Sequence, residues 1–207
     1  MALLQDTQLP ERFLNFLPLY IGVELILGVG IINKLSGVYG ILSLFTGHPL
    51  EFMQWIFYIS SILCVVFYGV GLWTILDPKV RQFAAVVVIY SIDTLVSLFF
   101  IFWFAFEWFV NEDVKIEKVP GQDYSKSASQ AYEYGWIILV TATVIVSRFY
   151  FNLVLVSFYK KLIKYKKNLG LPAIETDVDL NLKSQAKWKQ LLYRFEFACY
   201  KLLTQLV

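Results

Sequence analysis

Four stretches of this chain are too long and too apolar to belong to a water-soluble fold. A helix needs about 20 mostly apolar residues to cross ~30 Å of hydrocarbon. The runs Phe16 to Ile32 (with an apolar continuation toward Tyr39), Phe52 to Leu76, Phe83 to Phe109 and Tyr134 to about Phe158 all approach or exceed that length. None alternates strictly, so the short dyad strands of a membrane barrel do not fit. Charged residues supply only 16% of the chain, where about 25% is usual for a soluble domain. The 18% aromatic content excludes a disordered chain, and a body this lipid-like argues against a nucleic-acid partner. The expectation is an all-α polytopic membrane protein. Its four transmembrane helices form a domain over residues 1–158, and a basic cytosolic tail over 159–207 carries an amphipathic C-terminal helix.

The connections carry the topology. Gly47, His48 and Pro49 punctuate the first linker as a structural turn, and Asp77-Pro78 stops the second span sharply. The start Met1-Ala-Leu-Leu-Gln-Asp lacks a basic n-region, so the first span reads as an uncleaved anchor rather than a signal peptide. Lysine and arginine concentrate on the side of the N-terminus, the second linker and the tail: Arg12, Lys79, Arg81 and the cluster Lys160, Lys161, Lys164, Lys166 and Lys167. By the positive-inside rule both termini are cytosolic, and the cluster suits the anionic headgroups of membrane lipids.

Three ionisable side chains, Glu24, Asp93 and Arg148, lie deep within the spans. Counted from the cytosolic ends, about ten residues precede each, or ~15 Å at 1.5 Å per residue. A lone charge at that depth costs about 2.5–3.5 kcal/mol on the insertion scale. Pairing of Arg148 with Asp93 or Glu24 offsets much of this, and the planar guanidinium can serve either carboxylate. The residues themselves leave two readings, an intramembrane polar clamp or a small proton-coupled carrier using all three. The clamp is favoured, because no chain of His, Asp or Glu continues toward either face.

Nothing else in the sequence suggests chemistry. His48 is the single histidine, with only Glu51 beside it, and general acid–base work needs a positioned partner. Cys64 and Cys199 cannot complete a four-ligand zinc site with it; they read as buried apolar residues. Phosphate loops, nucleophile elbows and metal-spaced ligands are missing. The expectation is no catalytic residue, no metal and no cofactor.

Two further features suit contacts. The third span ends in an aromatic run whose Phe102, Trp103 and Phe104 offer rigid surface to lipid or to a protein partner. In the tail, Trp188, Leu192, Phe195, Cys199, Leu202 and Leu206 recur at helical steps. Such a helix lies on a membrane or docks on another subunit. Leu171-Pro172 interrupts the chain before it and reads as uncoupling this helix from the fourth span.

The segments Pro18-Leu-Tyr-Ile-Gly-Val-Glu-Leu-Ile-Leu-Gly28, Asn33-Lys-Leu-Ser-Gly-Val-Tyr-Gly-Ile-Leu42 and Leu44-Phe-Thr-Gly-His-Pro-Leu-Glu-Phe-Met-Gln-Trp55 are distinctive. So are Tyr90-Ser-Ile-Asp-Thr94, Arg148-Phe-Tyr-Phe-Asn152 and Lys187-Trp-Lys189. Together they resemble the regulatory subunit of fungal inositol phosphorylceramide synthase. The resemblance implies a multi-pass Golgi membrane protein that supports a separate catalytic subunit in sphingolipid biosynthesis. That partner moves phosphoinositol from phosphatidylinositol to ceramide. The resemblance also implies a role for the cytosolic tail in Golgi retention, through vesicle-coat machinery or the catalytic subunit itself. Some relatives are cleaved at a basic site in the lumenal loop; residues 110–133 here contain no Lys-Arg pair.

Overall fold

The computed structural model describes residues 9–40, 42, 52–111, 130–172 and 185–206. Among these it contains five helices: α1 (Leu19–Gly40), α2 (Phe52–Trp73), α3 (Val80–Asn111), α4 (Gln130–Asn168) and α5 (Lys187–Leu206). The first four are long and apolar enough to cross a membrane, and α5 is the C-terminal amphipathic helix. The chain divides into two compact units, Met1–Ser91 with Phe151–Val207, and Ile92–Tyr150.

In the first unit α1 and α2 form an antiparallel pair. Lipid tails are as apolar as leucine, so membrane helices associate through close van der Waals packing at small residues rather than by escape from water. Glycines supply that closeness here. A Cβ added to Gly40 would run into the Tyr58 ring, and one on Gly37 into the Ser61 side chain. Gly30 faces Tyr68 at 3.1 Å, and Gly71 faces Leu27 at 2.9 Å. As the number falls on one helix it rises equally on the other, the register of a tight helical hairpin.

The first part of α3 is the centre of this unit. Residues 83–90 are all buried in succession, which requires neighbours on every side of the helix. Val23, Ile26 and Leu27 of α1, Tyr68 of α2, and Val154, Leu155 and Tyr159 of α4 are buried in the same unit. Phe83 meets Phe158 edge-on at 5.0 Å, and the Ser91 hydroxyl donates to Asn152 Oδ1 at 2.7 Å.

Short polar devices shape the ends. Before α1, Leu14 and Asn15 both take left-handed φ values of 50° and 67°. They close a tight turn in which Phe13 and Leu17 exchange both backbone hydrogen bonds. That turn presents Phe13 to Gly22, where a Cβ would approach the ring at 2.6 Å, and Ser157 holds the Pro10 carbonyl at 2.6 Å. At the other end α4 stops in a Schellman motif. Gly170 has φ +66°, its N–H bonds the Lys167 carbonyl, and Leu171 N–H bonds the Lys166 carbonyl.

Candidate functional site

The membrane-buried charges separate between the two units. In the second, Arg148 Nη1 lies 3.4 Å from Asp93 Oδ2 and donates to Ser97 Oγ at 3.1 Å. The Asp93 and Arg148 side chains are 7% and 18% exposed. Ser97 stands one helical turn beyond Asp93 and shares its face of α3, which is how the guanidinium reaches both. At 3.4 Å the ion pair is longer than the 2.7–2.9 Å of a strong charge-assisted bond. Glu24 belongs to the first unit, where it is half-buried on α1, and no ion pair joins it to a described residue. The three charges placed at one depth by counting thus give one observed pair, Asp93 with Arg148.

Of the aromatic run, Phe102 and Trp103 are exposed, and Phe99 stacks on Trp103 at 6.1 Å. The side chain of Phe104 lies outside the described residues, as do Gly47, His48 and Pro49.

A second polar constellation joins α5 to the start of α3, within the first unit. Arg81 Nε donates to Glu196 Oε2 at 2.6 Å, with the two side chains 11% and 6% exposed. The Arg81 guanidinium also lies 4.2 Å from the centroid of the Tyr193 ring, a cation–π arrangement. Phe195 meets Phe67 of α2 at 5.7 Å, and the Tyr159 and Thr204 hydroxyls are 3.3 Å apart. Although Leu171-Pro172 follows the end of α4, it does not set α5 apart: α5 belongs to the first unit. Burial pushes the Cys199 thiol up to about 11, with the Glu196 carboxylate adding to the effect.

The packing of α5 is off-centre from its apolar stripe. Glu196, Cys199 and Leu203 are buried, whereas Trp188, Leu192, Phe195 and Leu202 remain exposed to differing degrees, Trp188 by 63%. One edge of the stripe therefore faces the protein and the other is open. The sequence pattern marks Arg81 only as one of the cytosolic-side cations and does not point to Glu196. The available signal was Glu196 as the one acid in a helix otherwise carrying Lys187, Lys189, Arg194 and Lys201.

These features define a multi-pass helical membrane protein with glycine-mediated helix packing and, among the described residues, two largely buried ion pairs. Residues 12–125 match the family described as inositolphosphorylceramide synthase subunit Kei1. The inositol phosphorylceramide synthase regulatory subunit of Saccharomyces cerevisiae is 42% identical over 96% of this chain and 96% of its own. That of Schizosaccharomyces pombe is 31% identical over 78% of this chain and 72% of its own. No solved structure matches. The chain belongs to the Kei1 family of inositol phosphorylceramide synthase subunits.

Proposed function

We propose that this chain is a non-catalytic regulatory subunit that binds the catalytic subunit of inositol phosphorylceramide synthase in the Golgi membrane and supports its activity. The observation that carries this reading is the 42% identity to the budding-yeast regulatory subunit, sustained over 96% of both chains. A likeness that runs end to end includes the spans and α5, so the whole architecture, rather than one module, is shared. The positive-inside count supports both termini in the cytosol. Within this reading the Asp93–Arg148 pair acts as an intramembrane clamp. Phe102 and Trp103 offer partner or lipid contact, and the tail contributes to Golgi retention.

Co-purification tests the assembly. Tagged chain expressed with the catalytic subunit should retain it in comparable amount through detergent extraction; recovery of the tagged chain alone would overturn the reading. Impermeant labelling of single cysteines introduced within residues 111–131, in sealed Golgi vesicles, tests the orientation, and labelling from the cytosolic side would reverse it. Retention is better tested by polar substitutions on the open edge of α5 than by deleting the tail. Deletion would also remove the partners of Arg81 and Phe67.

A further inference from the structure

The junction of α3 and α5 forms an open cleft of about 200 Å³ lined by Arg81, Gln82, Gln185, Trp188, Lys189 and Tyr193, among others. We propose that this cleft is a headgroup site for an anionic phospholipid whose headgroup carries free hydroxyls. The proposal rests on the membrane placement of the chain and not on its assembly with a catalytic subunit.

The position is interfacial. Arg81 is the second residue of α3, which begins just after the Asp77-Pro78 break between two spans. α5 meets α3 at Arg81 through Tyr193 and Glu196, and meets α4 at Tyr159 through Thr204. Phe83 and Phe158, two residues from Arg81 and one from Tyr159, are in ring contact, so these two attachment points lie at one level. A helix fixed at both points runs across the bundle, along the membrane surface rather than away from it. Phe195 reaches Phe67, six residues inside the end of α2, or ~9 Å at 1.5 Å per residue. That is the depth at which interfacial amphipathic helices rest.

The chemistry is that of a phosphate with polar substituents. Among the described residues that line it, Arg81 and Lys189 supply two cations against the one carboxylate of Glu196, leaving one positive charge for a monoanionic lipid. Arg81 gives only its Nε–H to Glu196, and a guanidinium has five donors. Gln82 Oε1 is shut away from solvent with no hydrogen-bond partner among the described residues. A buried acceptor left unpaired is unfavourable; an ionised phosphodiester oxygen has no proton to give it, whereas a headgroup hydroxyl can donate to it once the Gln82 side chain turns toward the cleft it lines. Trp188 and Tyr193 present the ring faces and polar edges that suit a membrane interface. The volume accommodates a headgroup and not a whole lipid. The acyl chains would follow the open edge of α5 at Leu192 and Phe195 toward Leu63 and Val66 of α2, all of them exposed.

Thermal unfolding of the purified full chain in maltoside micelles tests this. Phosphatidylglycerol and phosphatidylinositol should raise the midpoint in a dose-dependent way, more than phosphatidylmethanol, an equally charged phosphodiester without a hydroxyl, while phosphatidylcholine should have no effect. Gln82→Leu should unfold at or above the wild-type temperature without lipid, because it removes the unpaired acceptor. With lipid it should lose the preference for phosphatidylglycerol over phosphatidylmethanol. Lys189→Ala, on an exposed residue, should weaken phosphatidylglycerol binding about five-fold, as expected for one interfacial charge. Equal protection by phosphatidylcholine would overturn the proposal, as would a Gln82→Leu variant that keeps the preference. Equal protection by free glycerol 3-phosphate or inositol phosphate would mark a site for soluble phosphopolyols and would overturn it too.

Discussion

Removing the Glu196 carboxylate should release α5 while leaving the spans in place. Glu196→Ala strands the Arg81 guanidinium, whose side chain is 11% exposed and whose bond to Glu196 is 2.6 Å long. Losing one member of a buried pair costs about 3–5 kcal/mol. Two effects reduce the cost here: the Tyr193 ring still covers the guanidinium, worth about 0.5–1 kcal/mol at partly exposed sites, and a flexible arginine at the membrane surface can turn toward water. A net loss of about 2.5 kcal/mol remains, nearly two decades in the docking equilibrium at 1.36 kcal/mol per decade. Hydrogen exchange of the reconstituted protein reads this directly. Amides of α5 that exchange by undocking should do so about 50–100-fold faster, while those of α1 and the buried 83–90 stretch of α3 are unchanged. The double variant Arg81→Leu with Glu196→Leu should recover much of the protection, because exchanging a buried pair for apolar residues is often neutral. If Glu196→Ala leaves α5 exchange untouched, or if the double variant is as loose as both single changes combined, the pair does not hold the helix.

The glycines divide cleanly. Gly37→Ala and Gly40→Ala should lower the thermal midpoint, by about 1–3 kcal/mol each for overpacking, because a Cβ there meets Ser61 and Tyr58; Gly28→Ala and Gly69→Ala, where nothing lies within 4 Å, should be neutral or slightly stabilising. Equal effects at all four sites in a differential scanning fluorimetry series would remove the hairpin argument. Arg148→Ala should destabilise the protein by about 1–3 kcal/mol, below the full buried-pair cost because the pair is long at 3.4 Å, and Arg148→Lys should recover part of that; an unchanged midpoint would discard the clamp. The Cys199 thiol, held up to about 11 chiefly by burial, should resist iodoacetamide at pH 8 in the folded protein and react once unfolded. The folded state keeps this proton where the unfolded state gives it up. The thiol's contribution is therefore whole below about pH 9 and falls away as pH rises toward 11; stability insensitive to pH in that window would contradict it.

The spans were legible because lipid imposes one simple rule on length and polarity. The expected second span, Phe52 to Leu76, differs from α2 only at its last turn, where Ile75 and Asp77 make turn-type bonds before Pro78. The fourth runs on to Asn168. Lys160 to Lys167 are good helix formers with no breaker among them, so only Gly170 stops the helix, ten residues after the lipid-like sequence ends. At the first span, Phe16 and Leu17 are apolar enough to count as lipid-facing, yet they belong to the turn that ends at Pro18.

The tail shows where local pattern stops informing. Periodicity identifies α5, and its apolar stripe is real. Which edge of that stripe turns inward depends on Arg81, 115 residues away in the chain, and no local rule connects the two. For the same reason counting could place Glu24, Asp93 and Arg148 at one depth but could not choose the partner of Arg148. That choice depends on Asp93 and Ser97 sharing a face of α3 toward α4.

The central claim, a subunit that enables chemistry it does not perform, is tested most directly by transfer of phosphoinositol to ceramide in proteoliposomes. The purified catalytic subunit should be assayed alone, with this chain, and beside this chain alone. The account predicts no turnover by this chain alone, and a rise in the catalytic subunit's rate that saturates as the two reach a fixed ratio. Transfer by this chain alone, or a catalytic rate that does not respond to it at any ratio, would contradict the account.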